Sequence, residues 1–130
     1  MRKLFFILLL AISCGKKTEG IQAQSENFEE FNQHFHSDSL FQLSRISFPI
    51  EGIHRDGWEE YKWTKENWEI LKNPVTKSNS FPNEYKHQLI SSDTLVIEKY
   101  RIEDSGFQCE RKFQLRKDKW FLVSYYNMNL

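Results

Sequence analysis

Apolar side chains recur at two spacings along this chain, and the spacing changes near Glu84. Before that point Phe28, Phe31 and Phe35 form one stripe at steps of three and four, which predicts an amphipathic helix. Ser25 is a suitable N-cap, and Glu29 and Glu30 sit near the positive end of the helix dipole. The stretch from Ser37 predicts a second helical turn or two, capped by Ser37 or Asp38, with Leu40, Phe41 and Leu43 packed inward. Pro49 cannot donate to a ladder, so "ISFPIEG" is confined to an edge strand or an irregular end. A turn at Gly57 precedes an aromatic-rich segment. Thr64 then caps a short predicted helix in "TKENWEILKN", with Trp68, Ile70 and Leu71 apolar. The Pro, Asn and Ser content of residues 73–83 marks a loop.

After Glu84 the period becomes two. Strands are predicted at about 85–91, 94–103, 107–116 and 119–127, and the links are short enough for an antiparallel meander. Helices first and strands last is an α+β layout, with N-terminal helices covering one face of a curved antiparallel sheet.

The N-terminus reads differently. Arg2 and Lys3 precede an apolar run from Leu4 to Ile12. As a helix that run would span roughly 14 Å, well short of a bilayer core of about 30 Å. It fits the core of a secretory signal peptide over residues 1–13. Ala11, Ile12, Ser13 and Cys14 resemble a bacterial lipobox, with Ala11 in place of the usual leucine. The expectation is a lipoprotein acylated on Cys14, anchored to a membrane and facing the periplasm, with the inner or outer membrane left open. The alternative is an ordinary signal peptide cut near Ser13. Residues 14–25 are small and polar and read as a flexible tether, leaving 26–130 as a single domain.

Removing residues 1–13 leaves sixteen basic against eighteen acidic residues. No polybasic face of the kind nucleic acids require is present, so no nucleic-acid partner is expected. The chain is 39% hydrophobic and 15% aromatic, with eleven Phe, enough to build a core without disulfide staples. With Cys14 acylated, Cys109 has no intramolecular partner and reads as a small core residue. His34 and His36 are two apart and point to different helix faces, so no metal site is expected. No cofactor motif is present.

Three stretches carry a resemblance: "FEEFNQHFHSDSLFQLSRISFPIEG", "WTKENWEIL" and "KDKWFLVSYYN". They are similar to a family of small envelope lipoproteins of unknown function from Bacteroidota-type bacteria, over about Phe28 to Asn127. The aromatic spacing and the Arg-x-x-Phe-Pro stretch from Arg45 to Pro49 carry the likeness. The resemblance implies the α+β cone of nuclear transport factor two-like proteins, with helices packed into the hollow of a strongly bent sheet, often around a pocket. It implies no catalytic residue.

One residue breaks the inner face of the third predicted strand. Alternate positions there read Phe107, Cys109, Arg111, Phe113 and Leu115, a permanent cation among apolar side chains. Simple counting across the last hairpin joins Leu115 to Trp120, Phe113 to Leu122 and Arg111 to Ser124. The preceding hairpin is ambiguous. A three-residue loop with Gly106 left-handed sets Lys99 opposite Arg111 and is favoured by turn chemistry. A two-residue loop puts Val96, Glu98, Tyr100 and Ile102 on the inner face and Glu98 diagonal to Arg111, which charge pairing favours. In both, Arg111 faces inward and must meet a partner. That partner is either an internal acid such as Glu98 or a ligand's carboxylate or phosphate, with Tyr100, Ser124 and Tyr126 as secondary contacts.

A second candidate is the aromatic group of Trp58, Tyr61 and Trp63 with Trp68, which either closes the open end of the cone or forms an interaction patch. The function expected is a non-catalytic, lipid-anchored envelope domain binding a small ligand or another envelope protein. Two other classes stay open. One is a cone-fold enzyme of hydrolase or isomerase type, for which His87 is the histidine that reaches the interior. The other is a scaffold that uses the aromatic patch.

Overall fold

The computed structural model describes residues 24–130, together with Gly15 and Gly20. The expected signal peptide, Cys14 and most of the expected tether lie outside the described residues. The domain opens with α1 (Phe28–Ser37) and α2 (Ser39–Ser44), followed by β1 (Ile46–Glu51), β2 (Ile53–Asp56) and β3 (Glu59–Lys62). A long irregular segment leads to β4 (Tyr85–Ser91), β5 (Leu95–Ile102), β6 (Phe107–Arg116) and β7 (Lys119–Asn129). All seven strands join one curled, unclosed sheet in the order β3-β2-β7-β6-β5-β4, and β1 also lies against β7. β4 to β7 form the antiparallel meander read from the period-two pattern, while β1 and β2 run parallel to successive halves of β7.

The phenylalanine stripe packs as its spacing predicts. Phe31 and Phe35 are buried, and Phe35 meets Phe113 edge-on at 5.5 Å between ring centroids. Burial of each such ring stabilises by roughly 1.5–3 kcal/mol. The cap differs from expectation: Asn27, not Ser25, accepts the Glu30 amide at 3.0 Å. Asp38 caps α2 by accepting the amides of Leu40 and Phe41. Leu40 is 80% exposed rather than inward, and Gln42 takes the inner position. Buried there, the Gln42 amide draws all its partners from the protein itself.

The helix expected after Thr64 does not form. Thr64 and Asn67 exchange side-chain and backbone bonds around a single turn, and the chain then runs irregularly to residue 77. Hydrogen bonds to buried side chains from distant elements replace the helical ladder, so propensity is overridden.

Both hairpin registers at Arg111 need correction. The β5–β6 loop has four residues, 103–106, with positive φ at Asp104 (57°) and Gly106 (74°). Ile102 therefore faces Phe107, and Glu98 stands directly opposite Arg111. The favoured Lys99–Arg111 pairing is absent, and the inner face is the Val96, Glu98, Tyr100 set. Across β6–β7, Leu115 meets Trp120 and Phe113 meets Leu122 as counted. A bulge then inserts Val123, so Lys112 faces Ser124 and Arg111 faces Tyr125. One extra residue reverses strand parity beyond it.

Candidate functional site

Four buried polar side chains converge on the irregular segment between β3 and β4. Gln42 donates from Nε2 to the carbonyls of Phe35 and Leu71, both at 2.8 Å, and its Oε1 accepts from Trp68 Nε1 and the Leu71 amide. Asn32 exchanges a pair of bonds with the Val75 backbone, at 3.0 and 2.9 Å. Glu98 Oε2 accepts from the Thr76 amide, and Arg111 Nη1 donates to the Asn73 carbonyl. A segment without helix or strand must find other partners for the backbone groups it turns inward, and these side chains supply them.

Arg111 is the centre of this arrangement. Its Nε donates to Glu98 Oε1 at 2.9 Å, and Nη2 lies 2.8 Å from the same oxygen. Glu98 is fully buried and Arg111 is 5% exposed, so the pair is dry and charge-assisted. His36 Nε2 accepts from Arg111 Nη1 at 2.9 Å, while its Nδ1 donates to the Asn32 carbonyl at 2.7 Å. Those roles require the neutral imidazole. Burial and then the adjacent guanidinium push the His36 pKa down to about 4. On the other side, His87 Nε2 sits 3.2 Å from Glu98 Oε2, within ion-pairing distance, and its ring stacks on Phe81.

A cavity of about 290 Å³ lies beside this cluster, walled by residues 70–73 with Tyr100, Arg111 and Tyr125. Neither Glu98 nor His87 lines it. Burial, with Cys109 close by, raises the phenols of Tyr100 and Tyr125 well above the ordinary tyrosine value. Burial likewise pushes the Cys109 thiol up. The inner part of the wall is therefore neutral phenol, thiol-backed and apolar, with a guanidinium already neutralised from behind, while Lys72 stands at the exposed edge.

The candidate residues divide on this geometry. Arg111 and Tyr100 share the cavity. Ser124 is buried but stands opposite Lys112, and Tyr126 pairs with Glu110 on the outer face, where its hydroxyl reaches Glu51. Tyr125 holds the inner place that simple counting assigns to its neighbours. The aromatic group also divides. Trp63 is 1% exposed and donates to the Tyr125 carbonyl, Tyr61 is half-buried against His54, and Trp58 stands fully exposed at the β2–β3 turn. His36, which the sequence marks only as lying on a different helix face from His34, is 7% exposed. Its one-residue offset from the Phe35 stripe is the signal available, and it is weak.

A family model matches residues 26–130. Among solved structures, the chain is similar to an NTF2-like protein from Bacteroides fragilis, with 20% identity and a TM-score of 0.52. That match covers 82% of this chain and 48% of the other, so this chain spans about half the length of the B. fragilis protein. A cystatin-like protein from Bacteroides caccae is 25% identical with a TM-score of 0.56, covering 80% of this chain and 77% of the other. A protein from Bacteroides uniformis is 25% identical with a TM-score of 0.57, covering 81% and 78%. No curated protein matches the chain.

Proposed function

We propose, for a chain that belongs to the family matched over residues 26–130 and is similar in fold to an NTF2-like structure, a non-catalytic binding domain of the cell envelope. It is lipid-anchored through Cys14 and takes a small uncharged ligand in its inner cavity. The observation that carries the reading is the 2.8 Å contact between Arg111 and Glu98. An anion entering the cavity would compete for a guanidinium already matched by a buried carboxylate, and would leave that carboxylate uncompensated at a cost of several kcal/mol. A neutral molecule meets no such penalty. The Tyr100 and Tyr125 hydroxyls and the guanidinium edge can orient its polar atoms, while Ile70 and Leu71 cover its apolar part. A catalytic role would need an acid or base at the cavity wall with a pKa near neutrality. The phenols there are shifted the wrong way. Support for the anchor is the short apolar run before Cys14 and the polar stretch after it.

Native mass spectrometry of the full chain purified from its own cells tests the reading. The expected result is a retained neutral molecule, lost from Ile70→Trp, which fills the cavity. An empty wild-type protein, or a bound organic anion whose retention depends on Arg111, overturns the inner-cavity reading. The same spectra test the anchor: a diacyl mass on Cys14 is expected, and a Cys14 thiol in the membrane-free fraction rules it out.

A further inference from the structure

The face of the sheet turned away from the helices is not blank. Two consecutive rungs cross β4 to β7 there, each contributing one side chain per strand. The first reads Lys86, Arg101, Gln108, Met128, and the second reads Gln88, Lys99, Glu110, Tyr126. These residues border a groove of about 530 Å³, inside the size range of small-molecule sites. Its floor is the backbone of inward-facing His87, Tyr100 and Cys109.

Charge in the groove is unbalanced. Lys86 and Arg101 stand directly opposite each other on adjacent strands, an arrangement that destabilises a sheet unless something negative lies between them. Lys86 has no ion-pair partner among the described residues, and the nearest carboxylate to Arg101 is Glu103 at 3.8 Å, on an exposed pair. Lys99 is answered by Glu110 at 3.0 Å. The first rung therefore keeps Lys86 without an ion-pair partner among the described residues and Arg101 with only the long, exposed contact to Glu103, flanked by the amide of Gln108 and the thioether of Met128, which lie 3.8 Å apart. Nothing in the fold requires cations here, because Gln or Thr would serve an exposed strand equally well.

We propose that this outer groove is a binding site for a small organic anion, its acidic oxygens seated on Lys86 and Arg101. Gln88 and Gln108 donate to the ligand's neutral oxygens, and Tyr126 and Met128 cover its carbon skeleton. Glu110 draws Lys99 away from the anion and sets the polar limit of the site. The site is independent of the inner cavity, since it lies on the opposite face and seeks the opposite chemistry.

Titration of the isotope-labelled full chain with citrate and with inorganic phosphate, followed by amide chemical shifts, tests it. Citrate is expected to give saturable shifts confined to β4–β7, with phosphate weaker because it lacks a carbon skeleton; the reverse order would identify a phosphate ester as the ligand class. Lys86→Gln and Arg101→Gln each weaken citrate binding about tenfold, and Glu110→Gln strengthens it. All three side chains are on the sheet surface, so the fold is retained and the spectra report it directly. Shifts that grow linearly without saturating, that persist in the Lys86→Gln/Arg101→Gln double variant, or that centre on Tyr125, overturn the proposal.

Discussion

The guanidinium of Arg111 holds together three elements that sequence alone does not bring near one another: the end of α1, strand β5 and the irregular segment 64–77. His36 is the titratable member of that contact on the helix side. In the unfolded chain it takes a proton near pH 6.5, and in the folded protein only near about 4. Between those values the unfolded state binds more protons, so this group's contribution to stability is complete above pH 6.5 and is lost as pH falls toward 4. Denaturant midpoints measured across that window are expected to fall more steeply for the wild type than for His36→Gln, which keeps an acceptor but does not titrate. Equal slopes would mean that His36 is not held neutral against Arg111.

At the scale of elements, the bent junction of β1, β2 and β7 controls which side chains face inward. Gly52, with φ of 118°, lets the break between β1 and β2 press onto β7. A Cβ there would fall 1.9 Å from the Tyr125 carbonyl oxygen, which is also the acceptor for Trp63. Gly52→Ala should therefore cost at least about 2 kcal/mol by urea denaturation and shift the amide signals around Tyr125. A change within a few tenths of a kcal/mol would show that the strands separate without strain. The four meander strands were legible from alternation to within two residues at each end, because half-buried strands must alternate. The bulge at Val123 was not, because nothing in "WFLVSYY" marks one residue as extra. It lies where β7 also pairs with β1, between Leu122 and Ser124. Register at Arg111 escaped for a related reason: local turn chemistry and charge pairing pointed to different loops, and the four-residue loop satisfied both.

Across the whole molecule, helices and sheet are coupled through a stretch with no regular structure. Gln42 shows how. Replacing it with Leu keeps the volume but strands the carbonyls of Phe35 and Leu71, the Leu71 amide and Trp68 Nε1. Each buried group left unpaired costs about 1–3 kcal/mol. Hydrogen exchange should accelerate across residues 70–76 in Gln42→Leu, while the β5–β6 ladder stays protected in proportion to the remaining global stability. Uniform acceleration would mean that the segment has no separate opening. The inner cavity depends on this segment for one wall, whereas the outer groove is built only from rungs of the sheet. By itself the sequence determined the features that periodicity and charge impose: a phenylalanine-faced helix, an antiparallel meander and an inward cation that had to be answered. Tertiary structure alone decided that Glu98 answers Arg111, that His36 is buried, that Tyr125 and not Ser124 or Tyr126 stands beside Arg111, and that residues 64–77 stay irregular. Local patterns are set by neighbours a few positions apart, while buried polar pairs and strand parity across a bulge are set by elements that meet only when the chain closes on itself.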